Sequence, residues 1–139
     1  MDARFRFSSD PDDIDHDLVH AWLSEQSYWA QGRPRETQEK AVDGSLNYAV
    51  VDTLTGRQVA FARVVSDRAT FAWLCDVFVD PAVRGLGVGV GLIGAVVAEL
   101  DALGVRRSVL STQDAHGLYA KFGFLPLDGS PRWMIRVAG

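Results

Sequence analysis

The stretch from Asp80 to Gly89 constrains this chain more than any other, because it joins a strand-like run to a helix through a glycine-rich loop. Gly85, Gly87 and Gly89 lack the Cβ atoms that would block close approach, so successive N–H groups can converge on one anion where the helix begins. Arg84 adds a fixed positive charge beside them. The loop therefore predicts a phosphate-binding turn.

Length and composition are those of an ordinary globular domain. The chain has 139 residues, 47% of them hydrophobic and 23% charged, which predicts a single domain over residues 1–139. No apolar run reaches about 18 residues, and the N-terminal residues lack the apolar region of a secretory signal. We therefore expect a cytoplasmic location and no membrane partner.

Charge and cysteine content exclude several function classes. Cys75 is the only cysteine, so neither an intrachain disulfide nor a cysteine-built metal site can form. His16 and His20 lack a convincing third ligand, and no metal is expected. The net charge of −4 argues against a nucleic-acid partner and suits a cationic or neutral small molecule better.

Hydrophobic periodicity predicts an α/β fold in the order β-α-α-β-β-β-α-β-α-β-β, with a mixed, mostly antiparallel central sheet flanked by helices. The last helix is short and is followed by two extended segments. The predicted strands after the first two helices are Leu46–Val51, Gln58–Val65, Thr70–Val79, Arg107–Leu110, Phe124–Leu127 and Trp133–Val137. A long helix is predicted over Gly87–Leu103.

Two motifs together resemble the GNAT superfamily of N-acetyltransferases. The first, Arg84-x-x-Gly87-x-Gly89, is similar to that family's acetyl-CoA-binding signature. The second is similar to its later motif and reads Thr112-x-x-Ala115-x-x-x-Tyr119-x-x-x-Gly123-Phe124. The two cover about Leu74 to Leu127. The resemblance implies a GNAT-like fold, acetyl-CoA as cofactor and acetyl transfer to an amine.

The resemblance also implies where acetyl-CoA binds. The loop would hold the diphosphate, and the edge of the central strand would pair with the extended acyl-thioester arm. Two positions depart from the usual pattern: Thr112 stands where asparagine is common, and Gly91 where a larger residue is common. The implied cofactor-binding residues are Val77, Phe78, Val79, Arg84, Gly85, Leu86, Gly87, Val88, Gly89, Thr112, Ala115 and Tyr119.

Two residues are candidates for catalysis. The matching tyrosine in the family protonates the departing thiolate, and a phenol at Tyr119 has a suitable pKa; alternatively Tyr119 belongs to the core. Asp76 is an acidic residue in an apolar strand, where burial would raise its pKa toward that of a general base. Asp76 could instead bind a substrate cation or satisfy a local amide, and a bulge would change the face on which it lies.

The acceptor pocket is less defined by the sequence. Tyr28, Trp29 and Arg33 lie where the family's first two helices join, and they form either an acceptor-binding wall or a hydrophobic plug between helices. Trp73 could extend the same wall. His116, close to Tyr119, contacts substrate or cofactor, or lies on the surface.

The sequence thus predicts an acetyl-CoA-dependent N-acetyltransferase that moves the acetyl group to a primary amine by direct attack in a ternary complex. The amine belongs to a small molecule or a peptide, and a homodimer is left open. A covalent acyl-enzyme is disfavoured because Cys75 has no activating neighbour. The alternative is a non-catalytic acyl-CoA-binding sensor or scaffold with the same fold. A dinucleotide-binding reading of Gly89-x-Gly91-x-x-Gly94 fails because these glycines lie inside the predicted helix.

Overall fold

The computed structural model describes residues 2–127 and 132–138, and over those residues no helix has the length and apolar character needed to cross a membrane. The strands are β1 (Phe5–Ser8), β2 (Leu46–Asp52), β3 (Arg57–Ser66), β4 (Ala72–Val79) and β5 (Ser108–Val109). The α-helices are α1 (His16–Ala21), α2 (Arg35–Asp43), α3 (Val88–Leu103) and α4 (His116–Ala120). A π-helical turn, Trp22–Gln26, continues α1, and short 3-10 turns cover Pro11–Asp13 and Pro81–Val83.

The five strands form one sheet in the order β1-β2-β3-β4-β5. Strands β1 to β4 are antiparallel neighbours, whereas β5 runs parallel to β4. The predicted mixed, mostly antiparallel sheet is therefore confirmed. Only Ala72 with Ser108 and Trp73 with Val109 are paired between β4 and β5, so the two strands separate beyond them.

Each face of the sheet carries its own apolar cluster, as the two-residue period of strands requires. Tyr48, Val50 and Ala62 belong to a cluster that includes the buried side of α3. Ala49 and Phe61 belong to a second cluster that includes Val19 and Trp22 of α1 and the π-helical turn, together with Ala30 and Val42. The sheet is thus covered by α3 on one side and by the first two helices on the other.

Strand β4 contains one extra residue, at Asp76. Arg63 of β3 is opposite Cys75 and Phe61 is opposite Phe78, so two steps along β3 match three along β4. Asp76 has a φ of 53°, in the left-handed region. Such a bulge reverses which face the following side chains occupy.

The last two predicted strands are wrong over the residues that the structure describes. Residues 124–127 and 132–138 form no strand there. Most of their apolar side chains do not pack against the sheet, since Leu125, Met134, Ile135 and Val137 are each at least 81% exposed. Two rings do pack: that of Trp133 lies 6.0 Å from that of Phe71, and that of Phe124 lies 6.0 Å from that of Tyr119.

A pair of glycines that end helices provides a test of this backbone. Gly104 closes α3 with a φ of 80°, whereas Gly44 closes α2 with a φ of −91°. Because the left-handed region penalises a Cβ atom, we expect Gly104→Ala to lower the free energy of unfolding by about 1 kcal/mol. Gly44→Ala should change it by less than about 0.5 kcal/mol. Urea unfolding measures both, and equal effects would contradict the assigned conformations.

Candidate active site

The separation of β4 and β5 opens a cavity of about 920 Å³ in the sheet. Residues 74–79 of β4 form one wall and residues 110–115, after β5, form the other. The loop before α3 lies at one end, and Tyr28, Trp29 and Arg33 line it as well. A cavity of this size, with an unpaired strand edge along one side, fits an extended ligand of several hundred daltons.

The loop at the end of this cavity has the backbone that the sequence predicts. Gly85 and Gly87 have φ values of 83° and 81°, and a Cβ atom at either would meet nothing within 4 Å, so the space beside them is open. No side chain caps the N-terminus of α3 within the described residues. The first amides of α3 therefore keep their donors available for an anion, helped by the helix dipole.

The side chains of the loop have different environments. Leu86 is half-exposed, whereas Val88 is 1% exposed and packs in the core, so only its main chain is available to a ligand. Gly89 has ordinary helical geometry, and a Cβ there would lie 3.7 Å from Val79. Gly89 is therefore not required by the backbone in the way that Gly85 and Gly87 are.

Arg84 is held in place by β4. Its Nε donates a hydrogen bond of 3.0 Å to the carbonyl oxygen of Val79, and its guanidinium carbon lies 5.4 Å from the centre of the Phe78 ring. These contacts orient the charge at the mouth of the cavity while leaving terminal N–H groups for a phosphate.

Tyr119 lines the cavity from α4 and is 8% exposed. Burial raises its pKa to about 12, with smaller contributions from Tyr28 and Asp114. The phenol is consequently protonated throughout the neutral range. Tyr119 therefore belongs to the apolar cluster that includes α3 and also lines the cavity, so a place in the core does not exclude a place in the site.

Two hydrogen bonds fix the segment before α4. The Ala115 amide donates to the Thr112 hydroxyl at 3.1 Å, and the Gln113 amide donates to the Tyr28 hydroxyl at 3.0 Å. Thr112 therefore has a local structural role in addition to lining the cavity. The second bond ties the segment after the π-helical turn to the wall opposite β4.

Three exposed aromatic side chains line the cavity away from the loop. Tyr28, Trp29 and Trp73 are 49%, 41% and 43% exposed. Tyr28 and Trp29 meet edge to face with ring centres 4.9 Å apart, in a turn held by the Ser27 hydroxyl, which accepts from the Ala30 amide. About half of each side chain is exposed, which fits an acceptor-binding wall better than a hydrophobic plug between helices. Large apolar groups exposed in a concave site are typical of ligand binding.

Asp76 lies on the β4 wall of the cavity, at the centre of a charged cluster. Its Oδ2 accepts from Arg33 Nη1 at 2.7 Å and from Arg63 Nε at 2.9 Å. Its Oδ1 accepts from Trp29 Nε1 at 3.0 Å and from Arg33 Nη2 at 3.3 Å. The two oxygens of a carboxylate offer about four acceptor sites, so the protein itself occupies them.

The expected rise in the pKa of Asp76 is wrong. Burial does favour the neutral acid, but the hydrogen bonds and charges of Arg33 and Arg63 outweigh it and lower the pKa below its ordinary value. An ionised carboxylate with a lowered pKa and saturated oxygens is a poor proton acceptor. Its evident effect is to hold two guanidinium groups and the Trp29 indole in place.

Arg63 is the residue of this cluster that the sequence reasoning missed. Its side chain is 8% exposed and lines the cavity. A signal was present, because Arg63 is a lone charge in an apolar strand, as Asp76 is in the next strand. Opposite charges buried on neighbouring strands are expected to pair.

His116 lies outside this cavity, and Cys75 lines it without an activated thiol. His116 lines a second groove, of about 880 Å³, between α3, β5 and α4, and not the cavity that holds Asp76 and Trp29. Cys75 does line the main cavity, but burial raises the pKa of its thiol to about 11. The thiol is therefore protonated at neutral pH and is not an activated nucleophile.

Comparison with known proteins identifies the class to which this fold and site belong. The chain belongs to the acetyltransferase (GNAT) family, whose sequence model matches residues 16–124. This family membership supports acyl transfer from acetyl-CoA as the general activity.

Individual proteins resemble the chain over most of its length. A crystal structure from Xanthomonas campestris pv. campestris, of a protein described as belonging to the GNAT family, is 46% identical, with a TM-score of 0.87 over 96% of this chain and 93% of that one. The rice protein Serotonin N-acetyltransferase 2, chloroplastic, is 35% identical over 67% of this chain. The uncharacterized N-acetyltransferase ycf52-like of Prochlorococcus marinus is 33% identical over 88%. The chain spans only 50% and 66% of the lengths of those two relatives.

The charged cluster generates a stability prediction. Asp76→Asn removes the negative partner of two largely buried guanidinium groups, so we expect the free energy of unfolding to fall by about 3 kcal/mol or more. Asp17→Asn is the matched control, because Asp17 pairs with Arg35 on the surface and its side chain is 89% exposed. That change should cost less than about 1 kcal/mol. Urea unfolding decides, and similar small losses in both variants would contradict the buried cluster.

Proposed function

We propose that this protein transfers an acetyl group from acetyl-CoA to a primary amine by direct attack in a ternary complex. The observation that carries the proposal is the continuous cavity at the separation of β4 and β5, with a glycine loop at one end and Tyr119 along its wall. A cavity open to two ligands suits direct transfer. The raised pKa of the Cys75 thiol disfavours a covalent acyl-enzyme.

The residues at the loop fit acetyl-CoA by their donors. Main-chain amides of residues 85–90 and the Arg84 guanidinium would hold the diphosphate, and the unpaired edge of Val77–Val79 would hydrogen-bond the amide groups of the arm. Leu86 and Ala115 would contact the same ligand from either side. When bound, acetyl-CoA supplies an activated acyl group whose departing sulfur requires a proton.

Tyr119 is the residue that we propose provides that proton. Its phenol lines the cavity, and its pKa is raised to about 12. The hydroxyl group is therefore protonated at neutral pH and can donate its proton to a developing thiolate. Its burial among apolar side chains fixes the hydroxyl group in a site of low dielectric, where such a hydrogen bond is strong.

A dedicated general base is not part of the proposal. Asp76 acts as a positioning residue for Arg33 and Trp29, and a water molecule takes the proton of the amine.

The aromatic wall formed by Tyr28, Trp29 and Trp73 is proposed to bind the body of the acceptor. Flat apolar surface at the far end of the cavity suits a ring. The name of the rice relative specifies serotonin, an amine with an aromatic ring, which agrees with such a wall.

A panel of amines tests the activity directly. The protein is incubated with acetyl-CoA and each amine, and thiol release is followed with a thiol reagent. We expect release above the hydrolytic background with at least one aromatic amine. Acetyl-CoA binding by calorimetry without release across the panel would instead favour a non-catalytic acyl-CoA-binding module.

Removing one hydroxyl group tests the acid. Tyr119→Phe keeps the ring that packs in the core but loses the proton donor, so kcat should fall about 100-fold. The Kd for acetyl-CoA should stay near the wild-type value. In the wild type, kcat should show no alkaline loss from Tyr119 between about pH 7 and 9, because its pKa lies far above that range. An unchanged kcat in the variant would exclude this role.

Two loop variants test the cofactor site. Each should raise the Kd for coenzyme A by about tenfold or more. Arg84→Ala removes a charged hydrogen bond, whereas Gly87→Val strains the backbone and obstructs the space beside it. Gly56→Val is the control for strain, since Gly56 has a φ of 73° and open space beside it but lies in the β2–β3 turn. The Kd of Gly56→Val for coenzyme A, measured by calorimetry, should equal that of the wild type. Wild-type affinity in both loop variants would remove the assignment.

A further inference from the structure

The guanidinium groups of Arg33 and Arg63 have more hydrogen-bond donors than the protein uses. A guanidinium carries five N–H donors. Arg33 makes two bonds to Asp76 and one to the Gln38 Oε1, at 2.9 Å. Arg63 makes one bond to Asp76 and one to the Ser45 hydroxyl, at 3.0 Å. Both therefore keep N–H donors without an acceptor among the described residues, and both line the cavity.

The charge of this cluster, like its unused donors, favours an anionic ligand. Two positive groups face one carboxylate, whose oxygens are already occupied, so these three residues together carry a charge of +1, and no other ion pair of theirs occurs among the described residues. The chain as a whole has a net charge of −4, so this local excess is not a property of the general surface. An oxyanion is the ligand that such a forked, prepositioned donor set recognises.

The aromatic wall is adjacent to these donors. Trp29 joins the two features, because its ring is half-exposed in the cavity while its Nε1 donates to Asp76. We infer that the acceptor amine carries an oxyanion, a carboxylate or a phosphate, that binds Arg33 and Arg63, and an aromatic ring that packs on Trp29 and Trp73. This acceptor differs from the cationic or neutral ligand that net charge alone favours. The inference rests on the proposed amine acetylation.

Matched pairs of amines test this inference with the wild-type protein. The members of each pair share a ring and an amine, and only one of them carries an oxyanion: tryptophan and tryptamine, phenylalanine and phenethylamine, tyramine O-phosphate and tyramine. We expect the anionic member of at least one pair to have a kcat/KM at least tenfold higher. The third pair distinguishes a phosphate from a carboxylate. The inference would be overturned if, in all three pairs, the amine without an oxyanion had a kcat/KM equal to or higher than that of its anionic partner.

Calorimetry separates this inference from the proposed activity. The same six amines are titrated into protein saturated with coenzyme A. If no amine is acetylated although coenzyme A binds, the proposed function fails, and the binding data still decide the inference. Tighter binding of an anionic member supports the oxyanion site, whereas equal binding, or no binding of any of the six, overturns it.

A pair of arginine variants locates the site. Arg33→Gln should reduce the affinity ratio of the anionic to the neutral member about tenfold, since it removes one of the two guanidinium groups. Arg35→Gln is the control, because Arg35 lies on α2 against Asp17 and Glu39, outside the cavity. Coenzyme A binding and melting temperature verify that each variant folds, and the wild-type ratios stand alone if Arg33→Gln does not fold. A folded Arg33→Gln with the wild-type ratio would overturn the assignment.

Discussion

The extra residue in β4 is the constraint on which the arrangement of the site depends. Before the bulge, Leu74 faces the α3 side of the sheet, and after it Val77 and Val79 do so. The left-handed backbone at Asp76 makes this change within one residue. A non-glycine residue in that conformation costs of order 1 kcal/mol or more, and the four hydrogen bonds of the Asp76 carboxylate offset the cost.

The same region explains why a cavity exists. Strand β5 pairs with β4 at only two positions, on the side of the bulge nearer the start of β4. Beyond them the edge of β4 has no partner strand among the described residues. An unpaired edge is normally a liability, and a ligand with its own amide groups can satisfy it. The short pairing of β4 with β5 therefore creates both the cavity and the free strand edge that the proposed ligand would use.

Local features of the site could be predicted from the sequence, and long-range ones could not. The sequence predicts a loop whose glycines leave room for close approach, and the space beside Gly85 and Gly87 is open, although that beside Gly89 is not. The pKa direction of Asp76 was wrong because it depends on Arg33 and Arg63, which are 43 and 13 residues away in the chain. Residues 133–137 look extended in the sequence, but an apolar run does not supply a partner strand.

The most direct test is amide hydrogen exchange, measured residue by residue with and without coenzyme A. Binding at the proposed site should slow exchange at the amides of residues 85–90 and along Val77–Val79, and leave β1, at the opposite edge of the sheet, unchanged. Coenzyme A that binds without protecting either segment, or that protects the second groove around His116 instead, would contradict the central claim.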